Sequence, residues 1–165
     1  MIVYLVGMPG AGKSTVGREL AGRLGVPFVD LDEEIERGQG RMVAEIFAEV
    51  GETAFRALEA SELMRASRQD PSVVACGGGV VLEPANRIAL RNTGTVVFLD
   101  VPIERLRERV EPGADRPLVH DEGDLERLLE AREPLYREFA AHVVDASGSP
   151  GTVAEAIVEE LRWSA

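Results

Sequence analysis

The stretch Gly7-Met8-Pro9-Gly10-Ala11-Gly12-Lys13-Ser14-Thr15 carries the densest chemistry in the chain. It holds the chain's single lysine; all the rest of the 18 Lys and Arg positions are arginine. The spacing Gly-x-x-x-x-Gly-Lys-Ser is that of a phosphate-binding loop when a strand precedes it and a helix follows. Its glycines let backbone N–H groups turn inward onto phosphate oxygens, and the helix N-terminus adds a partial positive charge. In that pattern Lys13 reaches the β- and γ-phosphates of ATP and the Ser14 hydroxyl ligates Mg²⁺. A compact ammonium on a flexible stem can follow a phosphoryl group, whereas a planar guanidinium is not its equivalent. Gly10, Ala11, Gly12 and Thr15 complete the ATP-binding loop.

Further along, other residue types could do related work, each with a plainer alternative. Asp32, in Val29-Asp30-Leu31-Asp32, could orient a hydroxyl and accept its proton late in phosphoryl transfer, or cap a helix over 33–37. Asp30 could be an exposed strand-end charge. Arg56 could pair with Glu52, four residues earlier on a helix, and Arg132 could sit on a solvated helix face. Two arginines also suit a carboxylate, because parallel guanidinium N–H bonds match its two oxygens. Gly77, Gly78 and Gly79 could let backbone approach a ligand, or form a tight turn at positive φ. Arg109 could stack on adenine or lie exposed on a charged helix. Arg116, in Asp115-Arg116-Pro117-Leu118, reads as a loop charge. Phe47 and Phe55 could wall a ligand or belong to the core. His120 and His142 lack metal-ligand spacing, and the lone Cys76 sits in an apolar run as a buried thiol.

These residues need elements to position them. Apolar β-branched runs at Ile2–Val6, 27–29, 73–76, 96–99 and 142–144 read as strands. Helical patterns lie between and after them, at Lys13–Leu24, 43–49, 52–68, 84–91, 103–110, 125–141 and 152–161. Pro134 is expected to bend or break the 125–141 helix. The stretch 111–124, rich in Gly, Pro and charge, reads as a mobile surface loop. Strands alternating with helices give an α/β fold with a parallel sheet covered on both faces, and ligands bind beyond the carboxyl ends of its strands. The glycine loop, the acidic pair and the glycine triplet follow strands one, two and three.

At 165 residues the chain reads as one compact domain. Its net charge of −11 argues against nucleic acid or an anionic membrane as partner, so an anion site here must be a local cluster of positive groups. One cysteine suits a reducing cytoplasm, and MIVYLVG is too short and lacks the basic start of a secretion signal. No run reaches transmembrane length.

A single lysine rules out the Asn-Lys-x-Asp guanine motif of translational GTPases, and strand three ends in Cys76 and three glycines rather than the acidic residue of motor ATPases. The early acidic pair and a late Arg-bearing loop point instead to a small-metabolite kinase. In order along nearly the whole chain, GMPGAGKST, VDLDEEIE, GRMVAEIFAEVGETAFRALE, CGGGVV, DRPL and REPLYRE resemble the shikimate kinases. The resemblance implies a five-stranded parallel sheet, a substrate-binding segment at about 32–61 and a lid at about 111–124. It implies transfer of the ATP γ-phosphate to the 3-hydroxyl of shikimate, with Mg²⁺, in a cytoplasmic monomer of the chorismate and aromatic amino-acid pathway. By the same resemblance Lys13, Asp32 and Arg116 are catalytic, and Asp32, Arg56, Gly77, Gly78, Gly79 and Arg132 bind shikimate, with Glu59 orienting Arg56. ATP is held by the loop with Arg109, Arg116 and Pro150, and the metal by Ser14 and, through water, Asp30. In one place the pattern departs: the loop Ala146-Ser147-Gly148-Ser149-Pro150-Gly151 has no basic residue to frame adenine. A gluconate or nucleoside-monophosphate kinase is the nearest rival, and a catalytically silent nucleotide binder the rival of another class.

Overall fold

The computed structural model describes residues 1–110 and 118–163. Five strands, β1 (Ile2–Val6), β2 (Phe28–Asp30), β3 (Ser72–Ala75), β4 (Gly94–Asp100) and β5 (His142–Asp145), form one sheet in the order β2-β3-β1-β4-β5. Every neighbouring pair is parallel. The central strand β1 is buried at all five residues, which is why its sequence is a continuous apolar run rather than an alternating one.

Seven helices complete the described chain: α1 (Lys13–Leu24), α2 (Leu31–Gln39), α3 (Val43–Ala66), α4 (Pro84–Thr93), α5 (Ile103–Arg109), α6 (Glu122–Phe139) and α7 (Pro150–Trp163). The β1-to-β2 and β3-to-β4 crossovers run in opposite directions across the sheet. Right-handed crossovers therefore put α1 and α4 on opposite faces. Helix α7 packs on α1, whereas α3 packs on α4 and α6 packs on β4. Because the adjacent strands β1 and β3 send their loops apart, a crevice opens at their carboxyl ends. No described helix is long and apolar enough to cross a membrane.

Several boundaries differ from the sequence reading. Helix α2 is a full element from Leu31 rather than a short 33–37 turn; its apolar face is only Leu31 and Ile35, one turn apart, too sparse to stand out among acidic residues. The expected 43–49 and 52–68 helices run as α3, interrupted at Gly51, whose φ of 80° no other residue type adopts comfortably. Helix α6 begins at Glu122, inside the expected loop, because Asp121 accepts from Gly123 N and Asp124 N while Asp124 returns a bond to Asp121 N. Nor does Pro134 break it. Buried Leu125, Arg132, Tyr136 and Phe139 fix one side, and Arg91 of α4 donates to the Glu138 and Phe139 carbonyls at its end.

The main core lies between sheet and helices. A second, smaller cluster of Ile35, Ile46 and Phe55, flanked by Val43, Phe47 and Leu58, ties α2 to α3. This satellite gives the segment after β2 its own rigidity.

Candidate active site

The loop after β1 is shaped by Gly10 and Gly12, with φ of 82° and 88°. Gly12 is the N-cap of α1, which has no capping side chain and no acidic residue in its first turn. Its leading N–H groups and positive dipole end are thus left for an anion. Lys13 Nζ donates to Gly7 O and Met8 O, both at 2.8 Å, so the ammonium lies over its own loop.

Beside it the Ser14 hydroxyl donates to the Asp30 carboxylate. Asp30 is buried and caps α2, accepting from Asp32 N at 3.0 Å and Glu33 N at 3.4 Å. This corrects two sequence alternatives: Asp30 is not an exposed strand-end charge, and the helix cap is Asp30 rather than Asp32. Asp32 is thereby free to face the crevice. A hydroxyl and a carboxylate side by side at a phosphate loop suit Mg²⁺, which takes one or two protein oxygens and leaves its other positions to water and phosphate. The described residues hold no cluster of three or more acidic, His or Cys side chains that would suggest another metal.

Lys13, Asp32, Arg56, Glu59, Arg132 and the glycine triplet line one cavity at the β1–β3 crevice. None of the three glycines has positive φ, so a left-handed turn is not their purpose. Their purpose is space. A β-carbon on Gly77 would stand 2.5 Å from Glu59 Oε2 and 3.1 Å from Asp32 Oδ1. One on Gly78 would meet Arg132 Nη1 at 3.2 Å, and one on Gly79 would overlap the Arg56 guanidinium. Each glycine is the floor beneath a different charged side chain.

Glu59 is 1% exposed and Arg132 4% exposed, so neither is a solvated helix charge. Arg56 Nη1 donates to both Glu59 oxygens, at 3.0 and 3.2 Å, while the expected Glu52 partner stands at 3.6 Å. Its Nε is buried without a partner among the described residues. Burial pushes the Asp32 carboxyl up to about 6, with the nearby Asp30 and Glu59 charges adding and Lys13 opposing. Burial likewise raises Glu59, against the pull of Arg56. Phe47 and Phe55, with ring centroids 5.4 Å apart, belong to the satellite core and also wall the cavity. Cys76 is buried, and its thiol is pushed well above the ordinary range by desolvation.

A second hollow, lined by Gly12, Thr15, Arg109, Gly148 and Pro150 among others, lies on the other side of the loop. Arg109 Nη1 approaches Gly10 O at 3.4 Å and Nη2 approaches Ser147 O at 3.5 Å. It bridges the phosphate loop to the very loop that lacks a basic residue of its own. Lys13 lines the first cavity and its neighbours Gly12 and Thr15 the second, so the ammonium sits at the partition. Residues 111–117 of the expected 111–124 lid, Arg116 among them, lie outside the described residues. Sequence reasoning missed Pro9, Val43, Leu118, Val119 and Leu128 as cavity walls. Apolar side chains, whether in a loop or on a helix, carry no signal that separates wall from core.

A family model for shikimate kinase matches residues 9–162. The shikimate kinase of Aromatoleum aromaticum is 45% identical over 166 residues, spanning 98% of this chain and 95% of its own. The shikimate kinase from Acinetobacter baumannii, solved in complex with shikimate, superposes with a TM-score of 0.95 at 38% identity, covering 99% of this chain and 93% of that one. A gluconokinase from Sinorhizobium meliloti, at 22% identity, TM-score 0.62 and coverage of 99% and 96%, shares the fold alone. With a family model matched over residues 9–162 and likeness along nearly the full length, the chain belongs to the shikimate kinase family.

Proposed function

We propose that the protein transfers the γ-phosphoryl group of ATP to the 3-hydroxyl of shikimate, giving shikimate 3-phosphate and ADP on the route to chorismate and aromatic amino acids. The observation that carries this reading is the single cavity holding Arg56 and Arg132 at its glycine floor, with Asp32 and Lys13 lining it too. The two guanidiniums fit the substrate carboxylate, and their charge offsets the acidic field of a chain with net charge −11. Asp32 accepts a hydrogen bond from the reacting hydroxyl. As that oxygen bonds to the γ-phosphorus and the bridging oxygen leaves with ADP, the hydroxyl proton passes to Asp32. An ordinary carboxylate would be a poor acceptor; one raised to about 6 is better matched.

Lys13 and the N–H groups of the loop hold the phosphates, and the hollow at Arg109 and Pro150 takes the adenosine. Ser14 and, through water, Asp30 would hold Mg²⁺, which supplies charge neutralisation on the phosphate oxygens when bound. Arg116 is assigned to the transferring phosphate and the stretch 111–124 to a lid that excludes water. The segment 32–61 binds substrate within a single P-loop domain.

The test is ADP release by the purified protein with ATP and Mg²⁺, comparing shikimate, gluconate, AMP and no acceptor. Release with shikimate alone is expected. Release with another acceptor overturns the roles of Arg56 and Arg132, and ATP binding without release from any acceptor means a silent homologue. Chelation by EDTA should abolish release and added Mg²⁺ restore it; undiminished release removes Ser14 and Asp30 from the metal role.

A further inference from the structure

Tyr136 lies fully buried behind the glycine triplet, outside the set of residues that line the cavity. Its hydroxyl donates to Gly78 O. Its ring stacks on Phe98 of β4, with centroids 5.1 Å apart and planes 22° from parallel. The phenol is therefore held by α6 against the sheet, its hydroxyl donating to one peptide group with the Arg132 guanidinium hydrogen-bonded to the same phenol oxygen.

That peptide needs holding. A run of three glycines has no side chains to anchor it and the widest backbone freedom of any sequence. The flanking carbonyls are fixed locally, Gly77 O by Val80 N at 3.1 Å and Gly79 O by Leu82 N at 3.0 Å. Among the described residues Gly78 O accepts from Tyr136 alone, 58 positions away in sequence. The N–H groups of Gly78 and Gly79 donate to no other described residue.

We propose that Tyr136 is a positioning residue for the substrate: by holding Gly78 O it aims the Gly79 N–H, on the far side of the same trans peptide, into the cavity as a donor to shikimate. A trans peptide points its C=O and N–H in opposite directions, so an anchor behind the triplet directs the N–H away from the phenol and toward the cavity side. Arg132 lies one turn earlier on the same helix, so α6 sets the glycine wall and the second guanidinium together. Burial pushes the phenol up to about 12, so it remains a donor across the working range. The proposal rests on the shikimate reading above.

The test is Tyr136→Phe, which removes one oxygen and keeps the stacked ring. Wild-type protein must first show shikimate-dependent ADP release; failure there defeats the functional reading and this proposal with it. With the wild type active, the variant should raise KM and Kd for shikimate about tenfold, the loss of one well-placed donor, while KM for ATP stays within about twofold. An unchanged shikimate KM, or both KM values rising together, overturns the proposal in favour of a purely structural phenol. Phe98→Leu, which loosens the ring but keeps the hydroxyl, should lower Tm with a smaller effect on shikimate KM; an equal KM effect also overturns it. Should Tyr136→Phe not fold, ¹⁵N-labelled wild type decides. Saturating shikimate should move the Gly79 amide proton downfield, and an unmoved resonance sinks the assignment.

Discussion

Gly77 and Glu59 are packed so closely that a β-carbon on the glycine would stand 2.5 Å from the carboxylate oxygen. Glu59 cannot retreat without releasing Arg56, since the two share a pair of hydrogen bonds in a buried site. Gly77→Ala is therefore expected to lower kcat/KM for shikimate by roughly 10- to 100-fold, the scale of a 1–3 kcal/mol overpacking strain. Steady-state kinetics with both substrates checks it. Near-wild-type values would mean that Glu59 and Arg56 shift together without consequence.

The acid limb of the rate profile should report Asp32. Its carboxyl is raised to about 6, chiefly by burial, and only the ionised form accepts the hydroxyl proton. The rate constant kcat/KM should thus fall as pH drops through about 6, rather than near the ordinary carboxylate value. In Asp32→Asn that limb should vanish along with most of the activity. A limb near pH 4 in the wild type would show an unperturbed group.

The same shift has a stability cost with a definite sign. A raised carboxyl binds its proton more tightly folded than unfolded, so ionising it opposes folding. The cost is absent below the ordinary value of 3.8, grows between there and about 6, and is fully expressed above. Its size is on the order of 3 kcal/mol. Asp32→Asn should therefore melt about 4 °C or more above the wild type at pH 7.5, with the gap closing toward pH 4. Calorimetry across pH tests this, and a gap that ignores pH would contradict it.

Arg132→Ala should act on one substrate only. The guanidinium stands over Gly78 and is almost wholly buried. Losing a charge-assisted pair there should raise KM for shikimate by roughly 30-fold or more, with KM for ATP little changed. Arg132→Lys should recover part of the loss, because a point charge lacks the bidentate fork. An equal rise in both KM values would remove Arg132 from the carboxylate site.

What could be read from the sequence depended on how local its cause was. The phosphate loop and strands one to four are local patterns, and both the loop and the sheet stand where those patterns put them. Asp30 and Asp32 could not be told apart, because capping depends on where α2 begins, and that helix has only two buried apolar residues. The glycine triplet was noticed, yet its reason lies in four side chains from α2, α3 and α6 that no window around residue 78 contains. Tyr136 drew no reading of its own, since its partner is a carbonyl 58 positions away.

The lysine bound to Gly7 O and Met8 O is also the only side-chain amine on the molecule. Most proteins carry many lysines, and acylation usually lands on bystanders. Here any lysine acylation, enzymatic or spontaneous, neutralises the one ammonium that lies over the glycine loop after β1. Modification of this chain at lysine is consequently all-or-none: the fraction of Lys13 acylated should equal the fraction of enzyme switched off, and bound ATP should shield both at once.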